Sequence, residues 1–229
     1  MTELVVNGYT IEVRTGRNIR NMSLRMALGK GIWVNVPYGF TKSQVVAFVN
    51  KHADWIEANY NKFASIKEAL NHKVGDTIKC RFHTIKLCEH NGAEFAYRKS
   101  GNEFLFYVPS PAKQDILNEK VDGFVVDVLR YECKMYLPKR VKELAERFGF
   151  KYGKLSFRNN STNWGSCSGT NNISLNVKLM KATDQVIDYV ILHELCHTVV
   201  KNHSNEFWSL MAKVCPNYQA LRKELKSVK

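Results

Sequence analysis

Asp188-Tyr-Val-Ile-Leu-His193-Glu194-Leu-Cys-His197 is the stretch on which the reading of this chain turns. Two histidines four residues apart lie on the same side of an α-helix, one turn apart. At about 100° per residue their mean direction lies near 20° from His193, with Glu194 about 80° to one side. Leu195 falls on the opposite face, where a core belongs. Two neutral imidazoles that hold Zn²⁺, with a carboxylate close enough to act on metal-bound water without ligating, is the arrangement of metal-assisted hydrolysis. The bland alternative is a pair of histidines on a core helix with no metal.

The flanks agree with a helix. Thr183 can cap it, Asp184 suits its first turn, and Val186, Ile187, Val190, Ile191 and Leu195 supply a buried stripe. Six residues beyond His197 comes His203, a candidate third ligand, since a catalytic zinc keeps three protein ligands and one open position. Ser204 reads as the N-cap of a following helix, with Glu206 in its first turn and Phe207, Leu210, Met211 and Val214 as its core face. Upstream, Ile173, Leu175, Val177 and Leu179 alternate with Ser174, Asn176 and Lys178, the pattern of a half-buried strand over 173–180. An edge strand there could take an extended peptide as an added strand, whereas a central strand could not.

Further out the chain is β-rich. Asn7-Gly8 reads as the turn of a hairpin over residues 2–14, and Gly29-Lys30-Gly31 as the turn between strands Leu24–Leu28 and Ile32–Val36. Thr41 to about Phe63 has helical spacing, with Val45, Phe48, Val49, Ile56, Tyr60 and Phe63 on one stripe. Strands are expected at 77–82, 84–88, 94–97 and 104–108, closed by Pro109-Ser-Pro111. Ala112 to Phe148 is helical, expected in two pieces broken at Pro138, with Gly149 ending the second. No sequence repeat is visible. The expected organisation is a β-rich domain with one helix over 1–110 and a helical domain with a small sheet over 111–229.

Composition narrows the class. Hydrophobic residues make up 45% and charged residues 24%, too apolar for a disordered chain and too polar for a membrane bundle. No run approaches the ~18 apolar residues of a membrane span. The first residues lack a basic stretch followed by an apolar one, so a cytoplasmic location is expected. Cys80, Cys88, Cys133, Cys167, Cys196 and Cys215 form no C-x-x-C pair, and reduced, mostly buried thiols are expected. The formal charge is +13, with cations dense from Arg130 to Arg158, either a surface for nucleic acid or another polyanion, or a solvated helix face. His52, His72, His83 and His90 show no ligand spacing and read as surface residues.

Asn163-Trp-Gly-Ser-Cys167-Ser168, Asn172-Ile-Ser-Leu-Asn176, the His193–His197 motif, Asn202-His203-Ser204 and Phe207-Trp208 together resemble the YgjP-like metallopeptidase family, which is related to SprT-like zinc hydrolases. The resemblance extends over most of the chain. It implies an α+β fold with a zincin-like catalytic half, built of the His-Glu-x-x-His helix and a small sheet and preceded by the β-rich half. It implies one Zn²⁺ per chain on His193, His197 and His203, with Glu194 as the general base. Asn163 departs from the Arg or Lys common in the family before this Trp, so any role of that cation is absent or passes to Arg158. Trp164 and Cys167 read as packing residues around a tight Gly165 turn, Ser166 is open, and Cys196 reads as packing.

The expected activity is peptide-bond hydrolysis, with a peptide or protein as substrate. Alternatives are a metal-dependent nucleotide pyrophosphohydrolase, since zinc chemistry also reaches phosphorus, and a nucleic-acid-associated protease or binding module using the basic surface. No P-loop or Gly-rich phosphate cradle supports the nucleotide reading.

Overall fold

The structure, a computed structural model, describes residues 2–27 and 30–228. The chain forms two compact units, 1–71 and 72–229, of α+β character with three small sheets and six helices among the described residues.

In the first unit, β1 (Thr2–Val6) and β2 (Tyr9–Thr15) form the expected hairpin. Asn7 and Gly8 have φ of 52° and 81°, the doubly left-handed turn that matches strand twist. β3 (Ser23–Ala27) pairs antiparallel with β4 (Gly31–Val36), which lies parallel to β2, giving the order β1-β2-β4-β3. Leu28 and Gly29, assigned from sequence to the strand end and the turn, lie outside the described residues. Ile11, Ile32, Val34 and Val36 from the sheet pack with Val45, Val49 and Ile56.

The helix expected over 41–63 is two helices, α1 (Lys42–Lys51) and α2 (Ala53–Ala69). Thr41 and Gln44 cap α1 reciprocally, and α1 ends at His52, whose ring bonds the Phe48 carbonyl at 2.8 Å. Side-chain spacing runs unbroken across the junction, so the apolar stripe could not reveal it.

In the second unit, β5 (Thr77–Lys79), β6 (Thr84–His90), β7 (Ala96–Ser100) and β8 (Glu103–Pro109) form a sheet of order β5-β6-β8-β7. Its outer pairs are antiparallel and its central pair parallel, as in the first sheet. One strand plan therefore occurs twice, without a sequence repeat.

The expected break at Pro138 does not occur: α3 (Gln114–Phe148) is one helix of 35 residues, about 50 Å long. Proline removes one amide bond, but Leu137 and Val141 on either side are fully buried and hold the helix in place. Gly149, at φ 73°, ends it as expected, and Phe150 donates to the Ala145 carbonyl at 2.8 Å.

α3 belongs to two cores. Leu117, Val121, Phe124 and Val128 pack on β6 and β8, while Leu129, Cys133, Leu137, Val141 and Leu144 pack in the C-terminal core. That shared helix explains why the compact units divide at 71/72 rather than at the Pro109–Pro111 boundary expected from turn residues. The junction is reinforced at Glu132, whose fully buried carboxylate accepts bonds from the amides of Arg81, Phe82 and His83 and faces the His83 ring at 3.0 Å. His83 is accordingly buried, not a surface residue. Its ring also lies against Phe104 and Tyr131.

The C-terminal sheet is short: β9 (Leu155–Arg158), β10 (Gly165–Cys167) and β11 (Ile173–Asn176), in the order β10-β11-β9. The strand expected over 173–180 stops at Asn176 and becomes a 3-10 turn, Val177–Lys181. Asn176 causes the switch. Its side-chain oxygen accepts from the Lys178 amide at 3.0 Å, and its amide group donates to the Asn160 and Asn163 carbonyls. Three helices follow: α4 (Asp184–Cys196), α5 (Asn205–Val214) and α6 (Tyr218–Leu225).

Candidate metal centre

α4 is buried on almost every side, with Val186, Ile187, Val190, Ile191 and Leu195 at or below 3% exposure. Thr183 caps it, accepting from the Val186 amide. Arg81 and Tyr136 bind Asp184 at its first turn. Halfway along, Arg140 of α3 grips Asp188 through both carboxylate oxygens, at 2.6 and 2.5 Å. The helix that carries the histidines is therefore fixed at both its start and its middle.

α4 ends at Cys196, and His197 is its C-cap residue. The His197 Nδ1–H donates to the Val200 carbonyl at 3.0 Å, a geometry that leaves Nε2 with its lone pair free. His203 lies on the loop before α5. Its Nε2 is 3.2 Å from His197 Nε2 and 3.0 Å from His193 Nε2. Zinc–nitrogen bonds of about 2.0–2.1 Å at tetrahedral angles separate two nitrogens by about 3.4 Å, so the three rings fit one divalent cation. They are the one group of this kind among the described residues. His193 Nδ1 is buried with no hydrogen-bond partner among the described residues.

Phe207 on α5 is the hub beneath them. Its ring centroid is 4.4 Å from His197, stacked, and 4.9 Å from both His193 and His203. Ser204 stands at the N-cap position of α5, without a side-chain cap bond. The returning loop is tied down by Lys201, which donates to the Ser168 carbonyl at 3.0 Å and to Asn171 across the β10–β11 turn. Cys196 faces away from the cluster, with its thiol 4.0 Å from the Met211 sulfur. All six cysteines are free.

Burial favours the neutral form of the His193 and His197 rings. Burial pushes His193 down to about 3, assisted by the charges of His197, His203 and Arg222. Burial also lowers His197. Glu194, 5% exposed, is pushed up to about 8 by burial. Its carboxyl lies against Gly165 of β10, where a Cβ would come within 2.6 Å of Oε1.

Gly165 thus serves a close approach inside a strand, not the tight turn expected from the Trp-Gly-Ser-Cys sequence. Trp164 is half-buried against the C-terminal core, and Ser166 is exposed. β11, expected to be a possible peptide edge, is the central strand, so the open edges belong to β9 and β10.

The YgjP-like metallopeptidase domain matches residues 20–228 of this chain. The chain belongs to the YgjP-like family. No curated protein matches it. Among solved structures, the metallopeptidase zymogen of Methanocaldococcus jannaschii jannalysin is similar at 21% identity and a TM-score of 0.31, covering 37% of this chain and 92% of that one.

In this YgjP-like chain the imidazoles of His193, His197 and His203, all singled out from sequence, come together at one place, and Glu194, next to His193 on α4, has its carboxyl buried against Gly165. Phe207, expected on the core face of α5, lies beneath the imidazoles, while the places of Gly165 and Lys201 were not assigned from sequence. Of these two, Gly165 carried a signal, a glycine inside a motif, and it was read as a turn. The basic run is partly consumed internally: Arg140 binds Asp188 and Glu143, Arg130 donates to the Phe157 carbonyl, and Lys142 pairs with Glu146. No helix among the described residues is long and apolar enough to cross a membrane.

Proposed function

We propose that this chain is a zinc-dependent peptidase in which His193, His197 and His203 hold one Zn²⁺ through Nε2 and Glu194 is the general base. The observation that carries the reading is the convergence of three imidazole nitrogens, with the neighbouring residue Glu194 buried and outside the cluster. Bound zinc supplies a Lewis acid for the scissile carbonyl and lowers the pKa of water toward ~7.

The chain's own groups do the rest. Glu194 acts as the carboxylate, whose proton affinity is raised by burial: it takes a proton from the attacking water and returns it to the leaving amine. Its position is held by α4 behind it and by the Gly165 backbone in front. The Nδ1 bond to Val200 keeps His197 in the tautomer a cation needs.

β10 supports a peptide rather than a compact substrate. Trp164 and Ser168 direct backbone groups toward β11, so by strand alternation Gly165 and Cys167 turn theirs to the open edge. An extended peptide added along that edge runs past Glu194.

Metal content of the purified protein, for wild type and His203→Ala, tests the ligand set. Glu194→Gln should keep zinc and lose hydrolysis of denatured protein substrates. A nucleotide panel assayed in parallel separates peptide from phosphate chemistry. Wild-type turnover in Glu194→Gln would exclude the proposed base.

A further inference from the structure

The His cluster has an aromatic and cationic neighbour. Trp208 of α5 lies 5.7 Å from the His203 ring and 6.1 Å from that of His193, centroid to centroid. Tyr218 of α6 also stacks on it, at 5.4 Å and 20°. The Arg222 guanidinium sits over the Trp208 ring at 5.1 Å. These residues, with Gln219, Lys223 and Lys226, line an open cleft of 470 Å³.

Arg222, like Arg147 over Phe148, is held against a ring rather than by a carboxylate. Arg14, Arg81 and Arg140 each bind a carboxylate, whereas Arg222 has no such partner among the described residues. Stacking over indole fixes the guanidinium plane and leaves its N–H edge for an incoming group. Lys223 and Lys226 add positive field on the same side, and no acidic residue lines the cleft. A planar, bidentate acceptor suits that edge, with the aromatic pair as an apolar floor.

We propose that this cleft is a specificity subsite for a peptide carboxylate, held by Arg222 over Trp208 while the scissile bond lies at the His cluster. The assignment rests on the peptidase reading and names its substrate class: peptides that carry a carboxylate close to the cleavage point, as a free C-terminus or as an Asp or Glu side chain.

Binding tests it without turnover. The zinc-loaded full chain carrying Glu194→Gln is titrated by calorimetry with a short capped peptide amide free of acidic residues. The same peptide with a free C-terminal carboxylate, and the amide with one internal Glu, complete the set. One acidic peptide should bind about 10-fold or more tightly than the neutral one. Arg222→Gln, an exposed substitution whose folding is checked by thermal unfolding, should abolish the preference, and Arg222→Lys should keep part of it. Whichever acidic peptide wins identifies chain-end or side-chain recognition. Equal binding of all three, a preference that survives Arg222→Gln, or pyrophosphate binding tighter than either acidic peptide overturns the subsite. Wild-type turnover of the same peptides judges the peptidase reading separately. A preference that depends on Arg222, with no cleavage, would reject the peptidase chemistry and leave the carboxylate site standing.

Discussion

Gly165 lies flat against the carboxyl group of Glu194, so close that a Cβ would meet Oε1, Cγ and Cδ at 2.6, 2.7 and 2.8 Å. Neither partner can give way easily, since Gly165 is held in β10 and Glu194 in a helix buried on almost every side. Gly165→Ala should therefore move the carboxyl and cost about 1–3 kcal/mol through overpacking. Peptide hydrolysis should fall about 10-fold or more, as expected for a misplaced catalytic group, while bound metal remains near the wild-type level. A variant with wild-type kcat/KM would show that the contact relaxes without consequence.

Removing the metal should loosen the end of α4. His193 and His203 are brought together across a returning loop, so a cation there stabilises the folded state by about 3–4 kcal/mol at 100 to 1,000 times its Kd. Chelation should lower the Tm of the wild type and expose the 198–204 segment to proteolysis. His203 is exposed, so His203→Ala should fold, and its Tm should be insensitive to chelator. Equal chelator responses in the two proteins would remove His203 from the ligand set.

Arg140 and Asp188 tie α3 to α4 with two parallel bonds, and both side chains are less than one-third exposed. Asp188→Asn keeps the size and loses the charge. It should cost about 1–3 kcal/mol, the range for a charge-assisted bond, with metal content unchanged. A double-mutant cycle with Arg140→Gln measures the pair directly, and a coupling energy near zero would show that the bonds are replaced by water.

Cys133 gives an alkaline limit to stability. Burial, with a contribution from Glu132, pushes its thiol from 9.0 up to about 12. Above pH 9 the unfolded chain loses a proton that the folded chain keeps. Stability from this group is full below pH 9 and falls as pH rises toward about 12, by about 1.4 kcal/mol per unit. Cys133→Ala should be less stable at neutral pH through lost packing, yet show a shallower decline between pH 9 and 10. Parallel declines in the two proteins would assign the alkaline limit elsewhere.

Local chemistry made several elements readable from sequence. Asn7-Gly8 can form few turns other than a tight hairpin, Thr183 and Asp184 announce a helix start, and four-residue spacing placed His193 and His197 on one side of α4. Elements decided by partners distant in sequence were not readable. Pro138 looked like a break because its neighbours' burial belongs to the folded core. Asn176 ended a strand by bonding Asn160 and Asn163, carbonyls that alternation of side chains cannot register. His83 looked exposed because its partner, Glu132, lies 49 residues away. The division at 71/72 depends on a helix whose two halves serve different sheets, while turn residues marked 109–111 more conspicuously.

The recurring strand plan puts residues of the two four-stranded sheets into correspondence. Ile11 faces Ile32 across the parallel pair of one, as Ile85 faces Phe104 in the other, and Val34 and Val36 match Phe106 and Val108. Aliphatic residues fill all four places where α1 and α2 pack on the sheet, whereas Phe104 and Phe106 fill two of them where α3 does. The scaffold thus tolerates two different fillings of one architectural template, and a mutational map of either sheet becomes a guide to its counterpart.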